Sequence, residues 1–187
     1  MGDQILESPF DGLDIDAVIG GLADSLNRVE AALPEAELEA AFTEVRAQIQ
    51  AQQAEAADGL AAAGEAFLAS NALRDEISVT DSGLQYEILT VGDGPKPLAS
   101  STVRTHYHGT LTDGTVFDSS YQRGEPAEFP VNGVIAGWTE ALQMMPVGSK
   151  WRLYLPYELA YGERGAGGAI GPYASLVFDV ELLDILD

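Results

Sequence analysis

The chain has no cysteine and, in 187 residues, only two lysines, Lys96 and Lys150. Without thiols there can be no disulfide, no thiol nucleophile and no Cys-ligated zinc or iron–sulfur centre. No apolar run approaches the ~20 residues that a membrane-crossing helix requires. The opening residues, MGDQILESPFDGLD, are acidic and lack the positive flank and apolar stretch of a secretory signal. The expectation is a soluble, cytoplasmic chain, periplasmic if the natural start lies further upstream. Positive charge is scarce throughout: nine Lys and Arg face 30 Asp and Glu, a formal net charge of −21. Such a body repels phosphate backbones and anionic lipid heads, which argues against nucleic acid and membrane surfaces as partners.

What is present divides near residue 76. Residues 1–76 hold 18 alanines and three aromatics, Phe10, Phe42 and Phe67; the rest of the chain holds the other 12 aromatics. Glycine divides 6 to 14 and proline 2 to 7 across the same point. An Ala/Glu/Gln-rich segment followed by a Gly/Pro/aromatic-rich one predicts an α+β chain, helices first and a sheet-containing domain second. The expected domains are therefore 1–76 and 77–187, with the boundary in the polar stretch Arg74–Ser82.

In the first segment the caps and breakers predict one helix from about Asp14 to Glu30 and a second from Pro34 to about Ser70. Along the second, Leu38, Phe42, Val45, Ile49, Gln53, Ala56, Leu60, Ala63 and Phe67 recur every three or four residues, a helical stripe. A helix of this length spans about 50–55 Å, more than a small domain is wide, so its middle should stand in solvent. The stripe is bulky at both ends and thin at Gln53 and Ala56. Two readings fit: a helical extension packed on its own domain, or a homodimerisation domain with a spacer helix. The second is favoured, because two short helices bury too little apolar area to be stable alone.

In the second segment, strands are predicted at Leu84–Val91, Thr102–Leu111, Thr115–Asp118, Lys150–Leu155 and Ser175–Leu183. Asp113-Gly114 marks a hairpin turn, and Gly137–Met145 has helical spacing. The architecture expected is a mostly antiparallel sheet wrapped around one short helix.

The usual catalytic signatures are missing. GERGAGGAIGP has the spacing of neither a dinucleotide fingerprint nor a P-loop and is read as a flexible loop. There is no G-x-S-x-G elbow. His106 and His108 share one strand face, with Tyr107 on the other. Spacing offers them no third metal ligand, so a surface or hydrogen-bonding role is expected, with no metal and no cofactor. What stands out is a set of apolar residues between turn signals: Tyr107, Phe117, Phe129, Val134, Ile135, Trp138, Tyr161 and Phe178. By composition alone such a set is core more often than pocket.

The surrounding blocks add to this. THYHGTLTDGTVFDSS, then GVIAGWTEALQMMPVGSKWRLYLPYELAYGERGAGGAIGPYASLVFDVELLDI, resembles the FKBP-type peptidyl-prolyl isomerases from Gly83 to the C-terminus. FDGLDIDAVIGGLADSL and RGEPAEFPVNGVI resemble the bacterial subfamily of FklB-type and macrophage infectivity potentiator proteins, which carry an N-terminal helical domain. The resemblance implies a pocket made by Tyr107 of H-Y-x-G, Phe117 and Asp118 of V-F-D-S, and Phe129 of E-F-P-V. It adds Val134, Ile135 and the floor indole Trp138 of V-I-x-G-W, Tyr161 of A-Y-G and Phe178 of L-V-F-D. Tyr107, Phe117, Asp118, Ile135 and Tyr161 are the catalytic set it implies; Phe129, Val134, Trp138 and Phe178 would bind substrate. Ala136 and Gly171 depart from the family pattern, the first standing where a proline or larger residue often precedes G-W and the second in place of the first proline of I-P-P. Implied partners are unfolded or partly folded proline-containing polypeptides, with macrolide immunosuppressants as candidate ligands.

The chemistry fits such residues. Rotation about an X-Pro bond crosses ~18–20 kcal/mol, most of it lost amide resonance. The planar amide is more dipolar than the twisted one, so an apolar pocket raises the ground state relative to the transition state. Lowering the barrier by ~5–7 kcal/mol gives about four to five decades of rate. No nucleophile is needed. The resemblance implies that the Ile135 N–H and the Tyr161 hydroxyl bind carbonyl oxygens and that Asp118 orients Tyr107 or the twisted carbonyl. The alternative is a binding module, a chaperone or adaptor that holds proline segments with little turnover.

The charge balance generates a first prediction. Self-repulsion at a net −21 destabilises the compact state at low salt. Tm should rise between about 0.05 M and about 1 M KCl, where the Debye length shrinks to ~3 Å. A flat or falling trend in calorimetry would leave the acidity as a solubility device.

Overall fold

The computed structural model describes residues 35–186; the helix expected over Asp14–Glu30 lies outside them. Helix α1 spans Glu35–Asn71. There follow β1 (Ser78–Val79), β2 (Gln85–Thr90), β3 (Thr102–Leu111), β4 (Val116–Ser119), a one-turn α2 (Ser120–Arg123) and β5 (Ala127–Pro130). Helix α3 (Ala136–Met144), β6 (Lys150–Leu155) and β7 (Leu176–Ile185) follow, with single 3-10 turns at Val131–Gly133, Tyr157–Leu159 and Gly162–Arg164. By contacts the chain forms two compact units, Met1–Gln50 and Ala51–Asp187. The second unit thus includes the latter half of α1, whereas composition alone divides the chain at residue 76.

Among the described residues one sheet runs β1-β2-β6-β7-β3-β4, with β5 also paired to β3. Every pairing is antiparallel. The longest ladder joins β3 to β7, and both strands alternate buried and half-buried residues along most of their length. That period of two is what a sheet with one face on a core requires. The buried set Val103, Tyr107, Leu176, Phe178, Val180 and Leu182 comes from this alternation, and β6 adds Leu153. Helix α3 closes the face, contributing Trp138, Ala141 and Leu142, with Met145 just beyond its end.

The structure adjusts the expected elements. Strand β5 and helix α2 were not predicted: each is four residues long, too short for a periodic signal. The stretch GERGAGGAIGP is not simply a flexible loop. Ala166 and Ile170 exchange both backbone hydrogen bonds, at 2.9 and 3.1 Å, which pins its middle into a narrow turn. The boundary stretch Arg74–Ser82 is tied down at its start. Its first residue, Arg74, donates to Asn71 and to the Tyr154 hydroxyl and pairs with Glu76 and Glu87. Buried Asn71 donates to Gln85, and Gln85 donates back to the Leu68 carbonyl, so the end of α1 is fastened to β2.

The face of α1 turned to the domain is rotated from the expected stripe. Gln53, Ala56 and Ala63 are exposed and Leu60 is 42% exposed, whereas Ala57, Gly64 and Asn71 are buried and Ala61 and Leu68 half-buried. Spacings of three and four hold on both faces. At Ala57, Ala61 and Gly64 the docked face is made of small residues because the helix approaches the domain closely there, while Phe67 of the expected stripe is half-buried and its ring meets Tyr154 at 6.0 Å. A reading weighted by side-chain bulk selects the other face.

Candidate active site

Nine residues expected to form a pocket do line one cavity: Tyr107, Phe117, Asp118, Phe129, Val134, Ile135, Trp138, Tyr161 and Phe178. Gly133 joins them, and the volume is about 300 Å³. Most of the sheet and α3 contribute. Tyr107 and Phe178 are on the core-facing positions of β3 and β7, Phe117 and Asp118 on β4, and Phe129 on β5 opposite Val103.

The aromatic rings form one connected edge-to-face set. Trp138 meets Tyr107 at 5.3 Å and 83°, Phe178 at 5.3 Å and 82°, and Phe129 at 5.8 Å and 87°. Phe117 continues the wall against Phe178 at 5.4 Å and 84°. Edge-to-face packing at these separations is the arrangement that ring quadrupoles favour. It also leaves the ring faces toward the hollow free of one another. Gly109 makes the Phe117–Phe178 corner possible: a Cβ there would lie 2.7 Å from Phe117 and 2.8 Å from Phe178. A glycine inside a strand is the sequence signal for such an approach.

Trp138 is 4% exposed, and its indole Nε1 has no hydrogen-bond partner among the described residues. The carbon surface of its ring lines the hollow. Ile135 is the N-cap of α3, its carbonyl accepting from the Trp138 and Thr139 N–H groups, both at 3.0 Å. Backbone N–H groups at a helix start have no partner within the helix and are available to a ligand carbonyl. Tyr161, 40% exposed, stands at the rim. Burial first, and the Asp118 charge second, push its hydroxyl pKa upward, so it stays a donor.

The one charged group in the pocket wall is held in a network. The Tyr107 hydroxyl donates to Asp118 Oδ2 at 2.5 Å, and Arg123 donates to the Tyr107 hydroxyl at 2.7 Å while pairing with Asp118 Oδ1. Burial pushes the Asp118 carboxyl up, but the hydrogen bonds from Tyr107 and Arg123 outweigh it and hold the carboxyl below its ordinary value. Burial and the Asp118 bond raise the Tyr107 phenol. The rim therefore carries an ionised carboxylate whose charge is locally balanced. Arg123 was missed by sequence reasoning. It reaches the site because α2 is a single turn, capped by Ser119 and ended by Gly124 in the left-handed region (φ 78°). The Ser119-to-Gly124 punctuation was the available signal.

His106 and His108 face away from the pocket. His106 stacks on Tyr121 at 4.6 Å and its Nδ1 lies 2.9 Å from Ser120 Oγ. The same buried hydroxyl accepts from the Tyr107 N–H at 2.7 Å and donates to the Tyr107 carbonyl at 3.2 Å. Ser120 thereby ties α2, and Arg123 with it, to the strand that carries Tyr107.

Comparison with known proteins agrees with this geometry. Residues 94–183 match the family model for the FKBP-type peptidyl-prolyl cis-trans isomerase, and residues 1–88 match that for the domain amino terminal to it. The chain is 50% identical over 186 residues to the FKBP-type 22 kDa peptidyl-prolyl cis-trans isomerase of Escherichia coli, covering 100% of this chain and 90% of that one. It is 42% identical to the outer membrane protein MIP of Legionella longbeachae, covering 93% and 77%. The crystal structure of FkpA from Escherichia coli superposes with a TM-score of 0.77 at 39% identity, over 92% of this chain and 82% of that one. No helix among the described residues is long and apolar enough to cross a membrane. An aromatic pocket with no nucleophile, on a sheet that matches solved relatives at this identity, places the chain in the family: it is an FKBP-type peptidyl-prolyl cis-trans isomerase.

Proposed function

We propose that this isomerase turns the X-Pro bond by desolvation and positioning, in the pocket floored by Trp138. The observation that carries the reading is the convergence of one aromatic enclosure, one neutralised carboxylate and one helix start on a hollow of about 300 Å³. The proline ring sits over the indole, between Tyr107, Phe129 and Phe178. The carbonyl before the proline loses water as it enters, which destabilises the dipolar planar amide more than the twisted one. The Ile135 N–H and the Tyr161 hydroxyl receive carbonyl oxygens of the bound chain. Asp118, fixed by Arg123, holds Tyr107 in place and sets the field at the twisting carbonyl. No proton is transferred and no bond is made or broken. The substrates on this reading are proline-containing segments of unfolded or partly folded polypeptides.

Two variants divide the work between rim and carboxylate. Tyr161→Phe removes one donor and keeps the ring, so activity on a short X-Pro peptide should fall within about tenfold, matching ~0.5–1.5 kcal/mol. Asp118→Leu should fall further, on the order of tenfold or more and mainly in kcat/KM. Circular dichroism and a melting curve establish that each variant is folded. A folded Asp118→Leu at the wild-type rate would overturn the role given to the carboxylate. No turnover by the wild type would favour the binding-module alternative.

The same proposal extends to assembly. Phe42 is 57% exposed and Val45 41% exposed on α1, large apolar groups turned to solvent. A homodimer joined through residues 1–76, with two isomerase domains held apart, would cover such groups and place two pockets near one client. Avidity between linked sites needs no new contact in either pocket. Light scattering at micromolar concentration should give twice the chain mass; a monomer mass removes the claim.

A further inference from the structure

The aromatic pocket does not end at its rim. Beside it lies a second hollow of about 310 Å³, walled by Ala166–Ile170 and sharing Phe117, Asp118 and Tyr161 with the first. With three lining residues in common, the second hollow is the nearest space for a residue adjoining a proline ring that fills the first. What fixes the Ala166–Ile170 wall therefore affects which adjoining residues are accepted.

On its inner side this wall is held by the Ala166–Ile170 hydrogen-bond pair and by Ile170 packing on the core. The segment that follows is held more tightly. Tyr173 has φ 56°, a left-handed conformation that costs a non-glycine residue free energy and persists only where the surroundings impose it. Its N–H donates to the Gly162 carbonyl at 3.1 Å and its ring meets Tyr157 at 5.1 Å.

The outer restraint comes from α1. At Gly64 a Cβ would collide with the Ser175 hydroxyl and lie 3.1 Å from the Ser175 Cβ, so the helix touches the chain just after the loop with no space to spare. One turn earlier, Leu60 reaches over Gly171: a Cβ on Gly171 would lie 3.0 Å from Leu60 Cδ1. The loop lacks a side chain where the helix supplies one. Ala57, one turn further back on the same side, is buried. Two helix residues thus bracket the loop, one at the residue following the wall and one at its return to β7.

We propose that Leu60 and Gly64 are positioning residues for substrate recognition. Through Gly171 and Ser175 they fix the Ala166–Ile170 wall, which receives the side chain adjoining the substrate's proline. The long helix is then part of the specificity apparatus as well as a spacer. The proposal rests on the aromatic pocket being the proline site. Its signature is a change in discrimination between substrates, which a general loss of folded protein cannot produce.

The test uses the full chain and two peptides of equal length, one with alanine and one with phenylalanine before the proline. Leu60→Ala and Gly64→Ala should each lower kcat/KM for the Phe-Pro peptide by about three- to tenfold, chiefly through KM, with the Ala-Pro peptide within about twofold. Adding Ser175→Gly to Gly64→Ala removes both clashing atoms and should restore the Phe-Pro value. If Gly64→Ala does not fold, Leu60→Ala decides, since that side chain is already 42% exposed. Unchanged discrimination in a folded Leu60→Ala, or an equal fall on both peptides, overturns the proposal. Failure of the pocket reading itself would look different: Asp118→Leu would leave both peptides at the wild-type rate.

Discussion

The Trp138 indole belongs to two structures at once. It is core, 96% removed from solvent and in edge-on contact with rings from β3, β5 and β7. It is also the floor of a hollow that must stay open. Truncating a ring of this size typically costs ~3–5 kcal/mol, so floor and fold cannot be separated. The constraint runs outward from there. α3 starts at Ala136, directly after Ile135, its cap, and both Ile135 and the indole line the hollow. The β3–β7 ladder must hold its register, because a slip of one residue would turn Tyr107 and Phe178 to the opposite face.

Around that floor, charge is handled by enclosure. An acidic protein places one carboxylate in the wall of an apolar pocket and balances it with an arginine and a phenol. Ser120 makes the arrangement rigid by fastening α2 to the backbone of Tyr107 on both its N–H and its carbonyl. The catalytic demand is small by enzymatic standards, since a few kcal/mol off a torsional barrier suffices. Orientation and dryness can supply it, and reactive chemistry is unnecessary.

Much of this was legible in the sequence, for identifiable reasons. Strand alternation in THYHGTL and SLVFDVELL reports burial on one face directly, whereas the pocket around Tyr107, Asp118, Trp138 and Phe178 was legible only through the resemblance of its short blocks to the family, the residues alone reading as core. What was not legible depends on geometry at close range. Arg123 reaches Asp118 through a one-turn helix with no period to detect. The docking face of α1 sets Ala57, Ala61 and Gly64 beside Leu68, and its three small residues are passed over by a reading weighted by bulk. Composition sets the boundary at Arg74–Ser82 and does not register the contacts of Arg74 with Tyr154 and Glu87, which join segments that are not adjacent in sequence. In each case the deciding quantity is a distance across the fold.

The central claim is that the bond turns in a dry pocket with no proton in flight. The solvent isotope effect on kcat/KM, from exchange spectroscopy of a short X-Pro peptide in H2O and in D2O, tests it most directly. A torsion assisted only by desolvation and standing hydrogen bonds predicts a ratio close to one. A ratio of about two or more would show a proton moving in the transition state, as general acid–base catalysis requires, and would contradict the account.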